Sequence, residues 1–153
     1  MPALTKDLRP SSRAVARPAK VATLLAISPY REDHAFLRSM FRHSHWRILG
    51  TASGREALPL LRQNSVRVVI CEKDLPDCTW RAILEELSRF EDPPLLIVTS
   101  HLADDHLWAE VLNLGGYDVL MKPFDPTEVV RVVNLAGRHG AGDSENLPAA
   151  ASA

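Results

Sequence analysis

Five strand-like runs alternating with five helix-like stretches put this chain in the α/β class, as a doubly wound, five-stranded parallel sheet with helices on both faces. Three observations lead there. The runs Val21–Ile27, Val66–Glu72 and Leu95–Ser100 are nearly continuous in apolar residues, which suits strands covered on both sides. The stretches between strands carry apolar residues three and four apart, the helical period. Strand and helix signals also alternate one for one, the pattern of parallel strands joined by crossover helices.

The elements follow in order. Val21–Ile27 is β-branched and aliphatic, a buried strand. Ser28-Pro29 predicts a helix start, with Ser as N-cap and Pro at the first helical position. Phe36, Leu37, Met40 and Phe41 share one face of that helix, and Arg38 and Arg42 the other. Arg47–Thr51 is a short strand, and Ser53-Gly54-Arg55-Glu56 is a capping box opening a second helix. Val66–Glu72 is the third strand. A loop, Lys73–Thr79, then leads to a third helix that reaches Phe90 before Glu91-Asp92-Pro93-Pro94. Leu95–Ser100 is the fourth strand. Asp104–Leu114 is a helix that stops at Gly115-Gly116, where glycine takes the left-handed cap. Asp118–Met121 is the fifth strand, and Asp125-Pro126-Thr127-Glu128 opens a last helix to about Gly137.

A hydrophobic share of 46% and a charged share of 24% over 153 residues suit one globular domain with tails. The expected boundaries are 21–138 for the domain, with 1–20 and 139–153 as disordered tails. Cys71 and Cys78 form no disulfide framework, which fits a reducing cytoplasm. Neither a targeting segment nor a run long enough to span a bilayer is visible, so no membrane partner is expected. The net charge of −1 hides an asymmetry. Lys6, Arg9, Arg13, Arg17 and Lys20 stand against Asp7, so residues 1–20 carry 5 − 1 = +4 and the remainder −5. That stretch reads as a solubilising tail or as a contact for an anionic partner. No aromatic is interleaved to stack on bases, so nucleic acid has little support.

A sheet of this kind takes its ligand beyond the carboxyl ends of the strands, where strand order reverses. The residues there are Ile27-Ser28-Pro29, Glu72, Thr99-Ser100 and Lys122. Three of these strand ends carry a resemblance. Glu72-Lys73-Asp74-Leu75-Pro76-Asp77, Ile97-Val98-Thr99-Ser100 and Lys122-Pro123-Phe124 look like the loop, switch hydroxyl and Lys-Pro-Phe of a response-regulator receiver domain. From Val21 to Arg138, about three quarters of the chain, the sequence resembles that family, and the resemblance implies a flavodoxin-like (βα)5 fold and a cis peptide before Pro123.

The resemblance also exposes departures. The family's phospho-accepting aspartate lies four residues before the loop proline, and here that position is Glu72. The two adjacent acids that hold magnesium in the family fall on Ser28 and Pro29. Thr99 and Lys122 match the conserved hydroxyl and lysine. The aromatic switch position is Val119, and the usual loop glycine is Trp80. Magnesium demands near-octahedral oxygen ligation, usually through one or two carboxylates. Ser28 and Pro29 supply none, and Glu32 and Asp33 lie a full turn into the predicted helix, pointing elsewhere. No cofactor is therefore expected, and at most weak magnesium binding.

Glu72 has two readings. It is either the remnant of a drifted site paired with Lys122, or a built-in mimic whose longer side chain reaches toward the place of a phosphoryl oxygen. Asp74 and Asp77 are loop carboxylates for which capping or turn roles compete with phospho-acceptance. His43, His45, His101 and His106 do not converge on one helical face as metal ligands would. On the predicted helix Asp104–Leu114, the apolar arc of Leu114, Leu107, Val111, Trp108 and Leu112 is wider than a core needs. Trp108 and Leu112 are thus a candidate interaction surface. The expected function is a stand-alone receiver of a two-component phosphorelay. On this reading it is cytoplasmic, is not an enzyme, and meets a histidine kinase or downstream signalling protein, with self-association possible. The alternative is a working response regulator phosphorylated on Glu72, Asp74 or Asp77.

Overall fold

The computed structural model describes residues 21–139; the predicted tails 1–20 and 139–153 lie outside the described residues, except His139, which ends the last helix. Strands β1 (Ala22–Ile27), β2 (Trp46–Thr51), β3 (Val66–Glu72), β4 (Leu95–Ser100) and β5 (Asp118–Met121) alternate with five helices. These are α1 (Arg31–Met40), α2 (Gly54–Gln63), α3 (Trp80–Leu87), α4 (Asp105–Leu114) and α5 (Pro126–His139). The strands form one parallel sheet in the order β2-β1-β3-β4-β5. Strand order therefore reverses between β1 and β3.

Alternate residues of each strand feed two cores. On one side Leu25, Ile27, Val69 and Val98 pack with Leu61 of α2, Trp80 and Ile83 of α3, and Val111 of α4. On the other Leu24, Ala26, Val68 and Ile97 pack with Leu37 of α1 and Val129 and Val133 of α5. The two faces together explain why the central strands are apolar at most positions.

The helix boundaries differ from the sequence expectation at two places. Ser28-Pro29 does not start α1, which begins at Arg31 behind an extended Tyr30 that makes no side-chain cap. The Ser28 hydroxyl is engaged instead, donating to Asp33 Oδ2 at 2.6 Å and accepting from the Tyr30 amide at 3.1 Å. Helix α3 ends at Leu87 and not at Phe90. There the Ser88 hydroxyl donates to the Glu85 carbonyl at 2.7 Å, and Phe90 N–H turns back three residues to Leu87 O, tightening the last turn. The other signals read as predicted. Ser53 accepts from Glu56 N–H and Asp104 from Leu107 N–H, and Gly115 ends α4 at φ 109°. Both cysteines are free thiols.

Trp80, where the family pattern has a glycine, opens α3 and is only 1% exposed. Its amide donates to the Lys73 carbonyl at 3.0 Å, so the loop that follows β3 is closed over a large side chain. Trp80→Ala is expected to cost about 3–5 kcal/mol in urea unfolding, the range for removing a buried aromatic. A loss under about 1 kcal/mol would show that the ring does not anchor the loop.

Candidate functional site

Sheet register builds the site before any side chain is considered. Glu72 and Thr99 are direct partners across β3 and β4, so both project from neighbouring strand ends. Ser100 O accepts the Lys122 amide at 3.0 Å, which brings the end of β5 to the same edge. The peptide between Lys122 and Pro123 is cis, and Phe124 stacks on Phe36 of α1 with ring centroids 5.1 Å apart. The loop after β5 is thereby pinned to α1.

Four polar side chains meet there, all buried. Lys122 Nζ lies 2.7 Å from Glu72 Oε1 and 2.8 Å from Asp33 Oδ2. Thr99 Oγ1 donates to the same Glu72 oxygen at 3.0 Å. The Tyr30 ring, its centroid 4.6 Å from Lys122 Nζ, offers a π face to the same ammonium. Ser28 secures Asp33 from the other side, and its own carbonyl accepts from His34 Nε2 at 2.8 Å. His34 in turn lies so close over Gly50 that a Cβ there would come within 2.6 Å of the ring.

Asp33 is the main correction. The sequence reading turned it away from the site because Ser28-Pro29 were taken as the helix start. With α1 beginning at Arg31, Asp33 falls in the first turn and lies one turn before Leu37 and two before Phe41, both buried. That stripe points at the sheet, so the carboxylate beneath it does too. A carboxylate on a buried stripe was the legible signal. Glu32, by contrast, is exposed.

The remaining candidates fall elsewhere. Pro29 sits exposed in the bend between β1 and α1. Asp77 accepts from the Gly54 and Arg55 amides at 2.9 and 2.8 Å, capping α2 from across the sheet edge. Those two bonds hold its carboxyl below the ordinary range, so this cap is present above that range and is lost as the pH falls through the lowered value. Asp74 is exposed and 3.7 Å from Lys73. Val119 is buried and β-branched where the family pattern has an aromatic. Trp108 is 50% exposed, Leu112 is half-buried, and Leu114 turns out exposed, so the buried arc of α4 narrows to Leu107 and Val111. His43, His45, His101 and His106 are all exposed, and among the described residues no three His, Cys, Asp or Glu side chains converge as metal ligands.

Chemically, the arrangement is an ammonium enclosed by two carboxylates. Burial disfavours the Lys122 charge, but its hydrogen bonds to Asp33 and Glu72, with their charges, outweigh that and raise its pKa above 10.5. This contribution to stability is complete below the ordinary lysine value and is lost only as the pH rises through the raised one. The two carboxylates are also the donors a cation would use here, and the oxygens nearest each other already share one ammonium.

The model of a response regulator receiver domain matches residues 32–134. Two-component response regulator ORR5 of Oryza sativa subsp. japonica is 29% identical over 113 residues, covering 71% of this chain and 84% of that protein. Response regulator SaeR of Staphylococcus aureus (strain USA300) is 28% identical over 117 residues, and there the matched part spans 75% of this chain but only 50% of the relative. Among solved structures, the signal receiver domain of an HD domain-containing protein from Pseudomonas fluorescens Pf-5 superposes with a TM-score of 0.75 at 22% identity, covering 86% of this chain and 98% of that one. The receiver domain of Saccharomyces cerevisiae Ssk1, solved with the histidine phosphotransfer signaling protein Ypd1, gives 0.71 at 16% identity, covering 80% and 92%. Among the described residues, no helix is long and apolar enough to cross a membrane.

Removing either carboxylate alone leaves Lys122 one partner, and removing both leaves a buried charge with none. Asp33→Asn plus Glu72→Gln is therefore expected to lose more stability than the two single changes summed, by about 1–3 kcal/mol of coupling. Urea unfolding at neutral pH measures this cycle. Strict additivity would mean that the two carboxylates do not share the ammonium.

Proposed function

The chain belongs to the response-regulator receiver-domain family, and from that premise we propose that it signals by protein–protein contact without being phosphorylated. Its partner on this reading is a histidine kinase or a downstream signalling protein, and the chain acts by binding and catalyses no reaction. One observation carries the proposal. Glu72 Oε1 accepts from Thr99 and Lys122 together, so a carboxylate already engages both residues that match the family's conserved hydroxyl and lysine. The arrangement is thus held in the occupied form by a side chain of the protein, with no kinase needed.

The same geometry argues against magnesium. An octahedral ion between Asp33 and Glu72 has to displace the Lys122 ammonium, which is then buried without a counter-charge. The donor set therefore does not fit the ion, and no phosphotransfer step runs through it. Asp77 is unsuited as a substitute acceptor because both of its oxygens hold the start of α2. A relic that no longer signals shares this geometry, and the mimic reading is favoured by the shared Oε1, since a plain ion pair with Lys122 does not require the Thr99 contact as well.

Incubation with acetyl phosphate and magnesium, followed by peptide mass spectrometry, tests the proposal. The expected result is no phosphorylated peptide, together with no magnesium-dependent rise in melting temperature at millimolar concentration. Phosphate on Glu72, Asp74 or Asp77, or a saturable magnesium shift, contradicts it and favours the working-regulator alternative.

A further inference from the structure

Strand β2 is an edge of the sheet, and its carboxyl end opens onto a groove of about 510 Å³ beside α1. Small-molecule sites commonly have volumes of about 300–1,000 Å³. One wall is a stripe of α1, where Arg31, His34 and Arg38 follow one another at three and four residues and so share a helix face. The floor is the strand itself, at Gly50 and Thr51. Glu56 is the one acid among the lining residues, and its Oε1 already accepts the Ala52 amide at 3.1 Å.

The two arginines lack a counter-charge. Both are exposed, and among the described residues neither comes within salt-bridge distance of a carboxylate. Between them His34 is fixed, because its Nε2 donates to the Ser28 carbonyl at 2.8 Å. Glycine at position 50 lets the ring lie against the strand, since a Cβ there would come within 2.6 Å of Nδ1. The Thr51 hydroxyl is buried and has no hydrogen-bond partner among the described residues, so the fold leaves that donor unused. The charge of the domain is polarised in the same sense. Residues 21–65, which include β1 through α2, carry six basic and three acidic side chains, 6 − 3 = +3. Residues 66–139 carry seven and thirteen, 7 − 13 = −6. An anion is therefore steered toward the β2 edge.

The lining also limits what the anion can be. Arg31 and Arg38 are separated by about 10 Å along the helix axis, and each planar guanidinium can grip phosphate oxygens in pairs. Two such forks in a row suit a ligand with several negative charges along its length. Ala35, Gly50 and Ala52 supply the apolar lining, with no ring on which a base could stack. We propose that this groove binds a chain of two or three phosphates, free or carried by a nucleotide, between Arg31 and Arg38. The phosphates are read and the base is not. No side chain that contacts Lys122 lines the groove, so its binding does not depend on whether Glu72 is a mimic.

Titration of the full chain with sodium tripolyphosphate in the absence of magnesium tests this, by calorimetry and by nuclear magnetic resonance. The expected result is saturable binding that shifts the amides of Arg31, His34, Arg38, Gly50 and Thr51. ATP is expected to bind as tightly as tripolyphosphate, and adenosine not at all. Arg31→Gln and Arg38→Gln should each weaken binding about ten-fold, with the melting temperature unchanged because both side chains are exposed. The shift map needs no variant, so it decides the matter even where a variant folds poorly. Absence of binding at millimolar tripolyphosphate overturns the proposal, as does full affinity in the folded double variant. Shifts confined to residues 1–20 also overturn it, by assigning the anion to that basic stretch. Tighter binding of ATP than of tripolyphosphate contradicts it as well, since the base would then be recognised.

Discussion

Lys122 sets the terms for everything around it. Its ammonium, 4% exposed at the end of β5, has left water at a cost of several kcal/mol, and only opposite charge at close range offsets that. Two carboxylates provide it, one from a strand end and one from a helix, and each arrives by a different structural route. Glu72 is delivered by the register of β3 on β4, which no side chain needs to adjust. Asp33 is delivered by the first turn of α1, whose position depends on Ser28, Tyr30 and His34. The site is therefore a junction that ties α1, β3, β4 and β5 through a single cation.

That junction changes what the strand ends can do. A sheet of this topology leaves a crevice where its strand order reverses, and ligands ordinarily fill it. Here a lysine, two carboxylates and a hydroxyl fill it with one another, and Tyr30 lies over the ammonium. Ser28 and Pro29 bring no carboxylate to the end of β1. Asp33 brings one from a helical position, where it is directed at Lys122 and not at open space. The length of Glu72 matters for the same reason, because one carboxylate oxygen reaches both Thr99 and Lys122.

Most of the architecture was legible in the sequence because burial on both faces leaves a direct mark. The runs Val66–Glu72 and Leu95–Ser100 are apolar at most successive positions for that reason, and their ends, with that of Asp118–Met121, put Glu72, Thr99 and Lys122 at one edge. What failed was a local rule in competition with a tertiary one. Ser28-Pro29 has the composition of a helix start, but the Ser28 hydroxyl gains more from Asp33 than from capping, since Asp33 is buried and needs a donor. Misplacing that boundary by two residues turned Asp33 away from the site. The trans-cap by Asp77 was half visible: a capping role could be read from its loop, but not that the helix it caps is α2, 22 and 23 residues earlier in the chain. Such a partner depends on the packing of two loops, which carries no periodic signal.

The central claim is that protein side chains hold the place a metal and phosphoryl group would take. The most direct measurement is a high-resolution crystal structure grown with magnesium and beryllofluoride, a phosphoryl analogue. The account predicts Lys122 between Asp33 and Glu72 with no ion or fluoride bound beside them. Metal coordinated by Asp33 or Glu72, with Lys122 swung away onto a fluoride, would contradict it.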